Sequence, residues 1–231
     1  MPQLSIIVPV LDEAGAIVMA LNALAPFRAR GAEVIVVDGG SSDNTMALAC
    51  PLADKVIAAP RGRGAQMNAG AAASTGDVLL FLHADTTLPP QADGLLLEAL
   101  RDPVWQWGRF DVQIEGRSPL LKLVSEFMNW RSLITGIATG DQAMFVSRAA
   151  FAAVGGFPEI PLMEDVALSK KLKRVGRPLC LAAKVTASGR RFDQRGVVRT
   201  VLLMWWLRLA FFLGAEPATL ARRYGYVPRD G

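Results

Sequence analysis

Four short apolar runs, at 4–10, 34–37, 55–57 and 78–82, alternate with helical patterns, and this rhythm constrains the fold more than any other feature. Leu4-Ser5-Ile6-Ile7-Val8-Pro9-Val10 is rich in β-branched residues and gives way to Asp12-Glu13, after which Ile17, Leu21 and Leu24 recur at helical spacing. Val34 to Val37 is unbroken by polar residues, as suits a strand buried on both faces of a parallel sheet. Ser42, Asp43, Asn44 and Thr45 offer N-cap chemistry to a helix running into Leu48 and Ala49. Lys55-Val56-Ile57 reads as a third strand, Ala65 to Ala73 as a helix, and Val78 to Leu82 as a fourth strand. The expected fold is α/β, a three-layer α/β/α sandwich with a mostly parallel central sheet. Beyond Pro89-Pro90 the pattern predicts a helix over 92–100, a strand over 109–114, an amphipathic helix over 120–133 and a strand over 143–146. No linker, repeat or low-complexity segment divides the 231 residues, so one domain is expected.

A hydrophobic fraction of 52% against 20% charged residues excludes a disordered chain. One histidine and two cysteines are too few for a zinc site of the usual kind, so any metal must be held mainly by oxygen. Cys50 and Cys180 are expected to be free thiols. Met1-Pro2-Gln3-Leu4-Ser5 has no basic region ahead of its apolar run, which argues against a secretory signal and for a cytoplasmic protein. The longest apolar stretch, Val197 to Leu213, is interrupted by Arg199 and Arg208 and falls short of the roughly 20 apolar residues of a membrane span. The formal net charge is +4, and arginine supplies 19 of the 25 cations without clustering, which suits phosphate ligands rather than nucleic acid.

Ligands of open α/β sheets bind beyond the carboxyl ends of the strands, where Asp12, Asp38 and Asp85 fall, so these three carboxylates are expected to face one crevice. The apolar run into Phe81-Leu82-His83-Ala84-Asp85-Thr86 delivers Asp85 to a polar end, as a hard cation such as Mg²⁺ or Mn²⁺ would need; the alternative is a cap on the turn before Pro89-Pro90. Asp38 beside Gly39-Gly40 can accept from a uracil imide or a ribose hydroxyl, whereas Asp43 reads as a turn cap. Arg61-Gly62-Arg63-Gly64 sets two guanidinium groups ahead of a helix N-terminus and reads as a clamp for a diphosphate. Met67 stands where a dinucleotide fingerprint needs its last glycine, and no P-loop occurs. Gly155-Gly156-Phe157-Pro158 leads into a helix that begins near Met163-Glu164-Asp165, where acidic residues also suit the helix dipole. Arg190-Arg191 reads equally as a lid on a diphosphate and as a solvated pair. The aromatic helix from Val197, with Trp205-Trp206 and Phe211-Phe212, reads first as a core or homodimer helix and second as one lying on a membrane or framing an apolar acceptor. Tyr224 and Tyr226 add no signal.

The chain resembles the family 2 glycosyltransferases of the GT-A fold, including small bacterial family 2-like members. The resemblance rests on Pro9-Val10-Leu11-Asp12-Glu13, on Val37 through Thr45, on Gln66-Met67-Asn68-Ala69-Gly70, on Gly76 through Asp85 and on Met163-Glu164-Asp165. It implies a nucleoside-diphosphate sugar donor, a hydroxyl acceptor and a bound Mg²⁺ or Mn²⁺; the acceptor could be lipid-linked if the aromatic helix frames it. It implies that Asp12, Glu13 and Asp38 surround the nucleoside, that Asp85 is the metal-binding end of the Asp-X-Asp motif, and that Asp165 is the catalytic base of an inverting transfer. Asp141, in Gly140-Asp141-Gln142, would lie on the acceptor side, with a buried turn as the equal alternative, and Glu164, Arg190 and Arg191 would lie on the acceptor or diphosphate side. Residues 1–100 would hold the donor, with Arg61 and Arg63, and 101–231 the acceptor. The first position of the Asp-X-Asp motif is His83 here, which reads as a donor-binding or structural residue rather than an acid or base. Two other readings stay open: a nucleotidyltransferase or retaining sugar transferase on the same fold, and a catalytically silent nucleotide-sugar sensor or membrane-surface scaffold.

Overall fold

The first half of the chain alternates as the sequence pattern requires: β1 (Leu4–Val10), α1 (Ile17–Ala29), β2 (Glu33–Asp38), α2 (Thr45–Ala49), β3 (Lys55–Ala58), α3 (Arg63–Ala73) and β4 (Val78–Phe81). These elements are seen in a computed structural model that describes residues 3–226; Met1 and Pro2, which entered the reading of the N-terminus, lie outside the described residues, as do 227–231. β1 pairs in parallel with both β2 and β4, and β2 pairs in parallel with β3. Every residue of β2 is buried, as a strand covered on both faces demands.

The second half adds β5 (Thr86–Thr87), α4 (Ala92–Ala99), β6 (Trp107–Glu115), α5 (Leu120–Thr135), β7 (Phe145–Ser147), α6 (Arg148–Ala153), α7 (Glu164–Leu172), β8 (Leu179–Ser188), α8 (Arg190–Arg195), α9 (Val197–Phe212) and α10 (Pro217–Tyr224). The sheet order is β3-β2-β1-β4-β7-β6-β8-β5, with antiparallel contacts at β4–β7, β6–β7 and β5–β8 and parallel ones elsewhere. Side-chain alternation splits the core in two. Ile6, Val8, Val34 and Val36 pack against Leu21 and Leu24 of α1 and Met128 of α5. Ile7, Ile35 and Val37 pack against Met67 and Ala71 of α3 and Leu168 and Leu172 of α7. Helices on both faces of one sheet make the three-layer α/β/α arrangement.

Several elements depart from the sequence pattern. β8 went unread, because Ala182-Ala183-Lys184 breaks its apolar alternation and the strand is fixed instead by parallel pairing with β6, across a register shift between Phe110 and Asp111. β7 starts at Phe145 rather than 143, since Ala143 has a left-handed backbone (φ 46°) that a strand does not accommodate. α3 begins at Arg63, which makes that residue helical and leaves Arg61 in the turn before it. α9 is not a core helix: only Thr200 and Leu207 are buried. Cys50 and Cys180 are both free, as expected.

Gly70 sets how closely α3 approaches the sheet, because a Cβ there would stand 2.4 Å from Ile7 Cγ2 and 2.9 Å from Val37 Cγ2. Glu33, at the start of β2, accepts from Ser5 Oγ (2.6 Å) and from Thr75 N (2.8 Å), and pairs with Lys55 Nζ (2.8 Å). Burial opposes its charge, but these partners outweigh burial and hold its carboxyl below the usual range.

Two stability experiments follow from these contacts. Gly70→Val overpacks the α3–sheet seam and costs about 1–3 kcal/mol in urea unfolding. A carboxyl whose folded pKa is depressed contributes stability that is complete above its unfolded pKa, near 4.5 for Glu33, and is lost as pH falls through the lower folded value. Urea titrations below pH 5 should therefore show a smaller acid-induced loss of stability in Glu33→Gln than in the unsubstituted chain.

Candidate active site

The loops that leave β1, β2 and β4 exit on one edge because the three strands run parallel, and a cavity of about 310 Å³ opens there. Glu13 enters it from the end of β1, and His83 and Asp85 from the end of β4. The second half closes the opposite side with Asp141, from the 3-10 turn Gly140–Gln142, and with Glu164 and Asp165 from the first turn of α7. Arg63 comes from the start of α3, Arg190 and Arg191 from α8. A neighbouring cavity of about 230 Å³ shares Glu13, Arg63 and Arg191 and reaches Pro9, Val10 and Gln66.

Hydrogen bonds across the fold hold these walls in place. Gln66 Nε2 donates to Val10 O and Val37 O (2.8 Å each), tying the ends of β1 and β2 to α3. Asn68 makes a two-way link with Phe157, donating to its carbonyl and accepting from its N–H (2.9 Å each). That link fastens α3 to the loop that leads into α7, and so to Glu164 and Asp165. Asp165 Oδ2 accepts from Gly140 N at 2.8 Å, and Oδ1 accepts from Val166 N at 2.7 Å. The carboxylate is thereby oriented across the gap between α7 and the 3-10 turn. The His83 ring lies against Gly140, where a Cβ would come within 2.4 Å of Cε1 and Nε2, and its Nδ1 is 3.4 Å from Asp141 Oδ1.

Asp12, Asp38 and Arg61 do not line this cavity, so the expected convergence of Asp12, Asp38 and Asp85 is met by Asp85 alone. The reason is local. Asp38 is buried and accepts from Gly40 N and Ser41 N (2.9 Å each) and from the Ser41 hydroxyl. Asp12, at φ 52°, accepts from Ser42 N (2.7 Å) and Ser42 Oγ (3.0 Å), bonds that lower its pKa. The two carboxylates thus brace the loops after β1 and β2. Asp43 caps as expected, accepting from Thr45 N and Ala14 N. Arg61 lies over the Tyr226 ring, 5.4 Å from its centroid, so the pairing of Arg61 with Arg63 as one clamp is not what the helix start produces.

The cavity sets five carboxylates against five guanidinium groups, the latter including Arg195 and Arg208, so an added phosphate meets cations without a large net charge having been buried. The Arg63 side chain is exposed to the cavity; the protein crowded around it works against its charge, but Glu164, Tyr224, Asp141 and Asp165 outweigh that and raise its pKa. Burial likewise opposes Asp141, and His83, Arg63 and Arg208 reverse it, leaving its pKa lowered. Glu164 is buried, and burial together with the Asp165 charge pushes its carboxyl up. Burial also raises Glu13. Arg191 stacks on the Tyr224 ring at 4.0 Å from its centroid, which orients a guanidinium beside the cavity.

Three contributors were missed in the sequence: Arg195, which lines both cavities from α8, Tyr224 and Arg208. Tyr224 lines both cavities, and Arg208 projects from the inner face of α9 with Thr200, Met204 and Leu207. The helical spacing of 200, 204, 207 and 208 is a signal that the apolar reading of α9 passed over.

Among the described residues no three His, Cys, Asp or Glu side chains converge as a ready-made metal site. Asp85 is exposed to the cavity and its carboxylate accepts no hydrogen bond from another described residue, so the turn-cap reading has no support. One free carboxylate in a cavity whose carboxylates and guanidinium groups balance fits a Mg²⁺ or Mn²⁺ ion that takes its other ligands from substrate phosphates and water.

Comparison with known proteins agrees with this fold. An uncharacterised glycosyltransferase of a Nostoc species is 30% identical over 95 residues, covering 38% of this chain and 30% of its own. Among solved structures, the Pyrobaculum calidifontis mannosyltransferase PcManGT, in complex with GDP-Man and Mn²⁺, superposes with a TM-score of 0.65 at 22% identity, over 100% of this chain and 65% of that one. Residues 1–349 of Staphylococcus aureus TarS superpose with a TM-score of 0.64 at 20% identity, over 86% of this chain and 64% of that one. The chain thus spans less than a third of the curated relative and just under two thirds of each solved structure, and the structural likeness is one of fold. The family model for glycosyl transferase family 2 matches residues 5–151, the stretch that carries β1, β2, β4 and their loops, and the chain belongs to that family.

Proposed function

We propose that the chain transfers a glycosyl group from a nucleoside-diphosphate sugar to an acceptor hydroxyl, with inversion at the anomeric carbon. The observation that carries this reading is that an oriented carboxylate, Asp165, and an arginine wall of Arg63, Arg190 and Arg191 face one cavity at the carboxyl ends of parallel strands. The complex of PcManGT with GDP-Man and Mn²⁺ supports the donor class.

Residues 1–100 serve as the donor half and 101–231 as the acceptor half. The nucleoside occupies the smaller cavity, beside Glu13 and the end of β1, with Asp12 and Asp38 bracing the loops behind it. The diphosphate lies against Arg63, Arg190 and Arg191, which donate charge-assisted hydrogen bonds to its oxygens. Asp165 accepts the proton of the acceptor hydroxyl as that oxygen bonds to the anomeric carbon. The bond from that carbon to the diphosphate oxygen breaks on the opposite face, and its electron pair leaves with the diphosphate. The N–H of Gly140 holds Asp165 in place for this, and Asp141 and His83 form the adjoining wall where acceptor or sugar hydroxyls bind. Asp85 would hold Mg²⁺ or Mn²⁺, whose charge would offset that developing on the leaving diphosphate.

Asp165→Asn keeps the side-chain shape and removes the base, so turnover in a coupled nucleoside-diphosphate release assay should fall about 10²–10⁴-fold while donor-induced thermal stabilisation persists. Wild-type turnover in that variant would exclude Asp165 as base. Arg63→Met combined with Arg191→Met should instead weaken nucleoside-diphosphate binding by about tenfold or more in calorimetric titration. Asp85→Asn should remove the part of that affinity that depends on added Mn²⁺.

A further inference from the structure

Exposed apolar surface is concentrated on this molecule: of nineteen exposed large hydrophobic side chains among the described residues, thirteen lie on α5 and on the stretch from α9 to Leu213. On α5, Leu120, Leu123, Phe127, Trp130 and Ile134 recur at three- and four-residue steps and form one stripe. On α9, Val198, Leu202, Trp205, Leu209 and Phe212 form a second. The stripes meet where the rings of Phe127 and Trp205 lie 5.4 Å apart.

Both helices are held with these stripes outward. Asn129 of α5 accepts from Val112 N (2.8 Å) and donates to Val112 O (3.0 Å), and Ser125 Oγ accepts from Ile114 N (2.9 Å), which locks the opposite face onto β6. The inner face of α9 lines the active-site cavity through Thr200, Met204, Leu207 and Arg208. The outward stripes therefore form a fixed surface rather than a frayed one.

The charges around that surface are mostly positive. Lys122 and Arg199 are exposed on the two helices. Lys170 Nζ stands 5.2 Å from the Phe211 ring centroid, and the Arg223 guanidinium 4.8 Å from that of Trp206. Of the carboxylates, Glu126 is paired with Lys184 at 2.7 Å, and Glu216 lies past the far end of α9. In a two-fold contact between copies, these like-charged rims would face one another, which disfavours self-association. No helix among the described residues is long and apolar enough to cross a membrane. An apolar platform with indole rings and a cationic border matches the interfacial zone of a bilayer, where apolar side chains reach the acyl boundary and cations meet anionic headgroups.

We propose that the α5–α9 face docks the protein on an anionic lipid bilayer, both helices lying in the plane of the interface. This inference does not rest on the transfer reaction, and its test is independent of it. The full chain is to be sedimented with vesicles of phosphatidylcholine alone and of phosphatidylcholine containing phosphatidylglycerol. The expected result is binding that rises with the anionic fraction, falls with salt, and shifts tryptophan emission to the blue. Leu123→Glu combined with Leu209→Glu should lower the partition coefficient about tenfold or more. Lys122→Glu combined with Arg199→Glu should remove most of the dependence on phosphatidylglycerol. Both variants should keep the circular-dichroism spectrum and the melting temperature of the unsubstituted chain, which separates a docking defect from a folding defect. The proposal is overturned if the unsubstituted chain fails to sediment with anionic vesicles. It is equally overturned if light scattering shows a lipid-free dimer that Leu123→Glu with Leu209→Glu converts to monomer.

Discussion

The parallel pairing of β1 with both β2 and β4 is the constraint from which the rest of the structure follows. Parallel neighbours send their carboxyl ends to one edge, so polar residues from loops far apart in sequence arrive together without long connections. It also obliges helices to cover both faces, since each central strand is apolar on both sides. α3 shows how tightly that obligation is met: Gly70 lets it lie against Ile7 and Val37, and Gln66 and Asn68 on the same helix bond to the strand ends and to the loop before α7. One helix thereby couples the sheet edge to the position of Asp165.

The electrostatics of the cavity follow from that convergence. Arginines from α3, α8 and α9 meet carboxylates from β1, β4, the 3-10 turn and α7. The groups perturb one another: Glu164 and the neighbouring acidic groups raise the pKa of Arg63, while Glu164 is driven toward its neutral form by burial and by Asp165. Behind the wall, Arg131 is pulled down to about 10, first by burial and then by the nearby Arg208.

The first four strands, the helices between them and the position of Asp85 were legible in the sequence, because each rests on a local pattern: an apolar run, a helical repeat, or a polar residue just past a strand. Asp165 stood out through the family resemblance, and Arg190 and Arg191 read equally as a lid and as a solvated pair. What the sequence concealed was tertiary. Asp12 and Asp38 stand at the expected strand ends, yet hydrogen bonds from Ser41 and Ser42 turn their oxygens into braces rather than cavity walls. Arg61 and Arg63 read as a pair, but the start of α3 falls between them and sends one to Tyr226 and the other into the cavity. Tyr224 and Arg208 reach the site only through the packing of α9 and α10 around α7, and no local signal at Tyr224 announces it. The strand β8 depends on pairing with β6 rather than on its own alternation.

The central claim is that the cavity at the carboxyl ends of β1 and β4 takes a nucleoside diphosphate together with a divalent cation. A thermal-shift screen of uridine, guanosine, cytidine, adenosine and thymidine diphosphates, each with and without Mn²⁺, tests it most directly, because a ligand that binds the folded state raises its apparent stability. The account predicts that at least one diphosphate raises the melting temperature and does so more strongly with Mn²⁺. Melting temperatures unmoved by every diphosphate, with or without the metal, would contradict it.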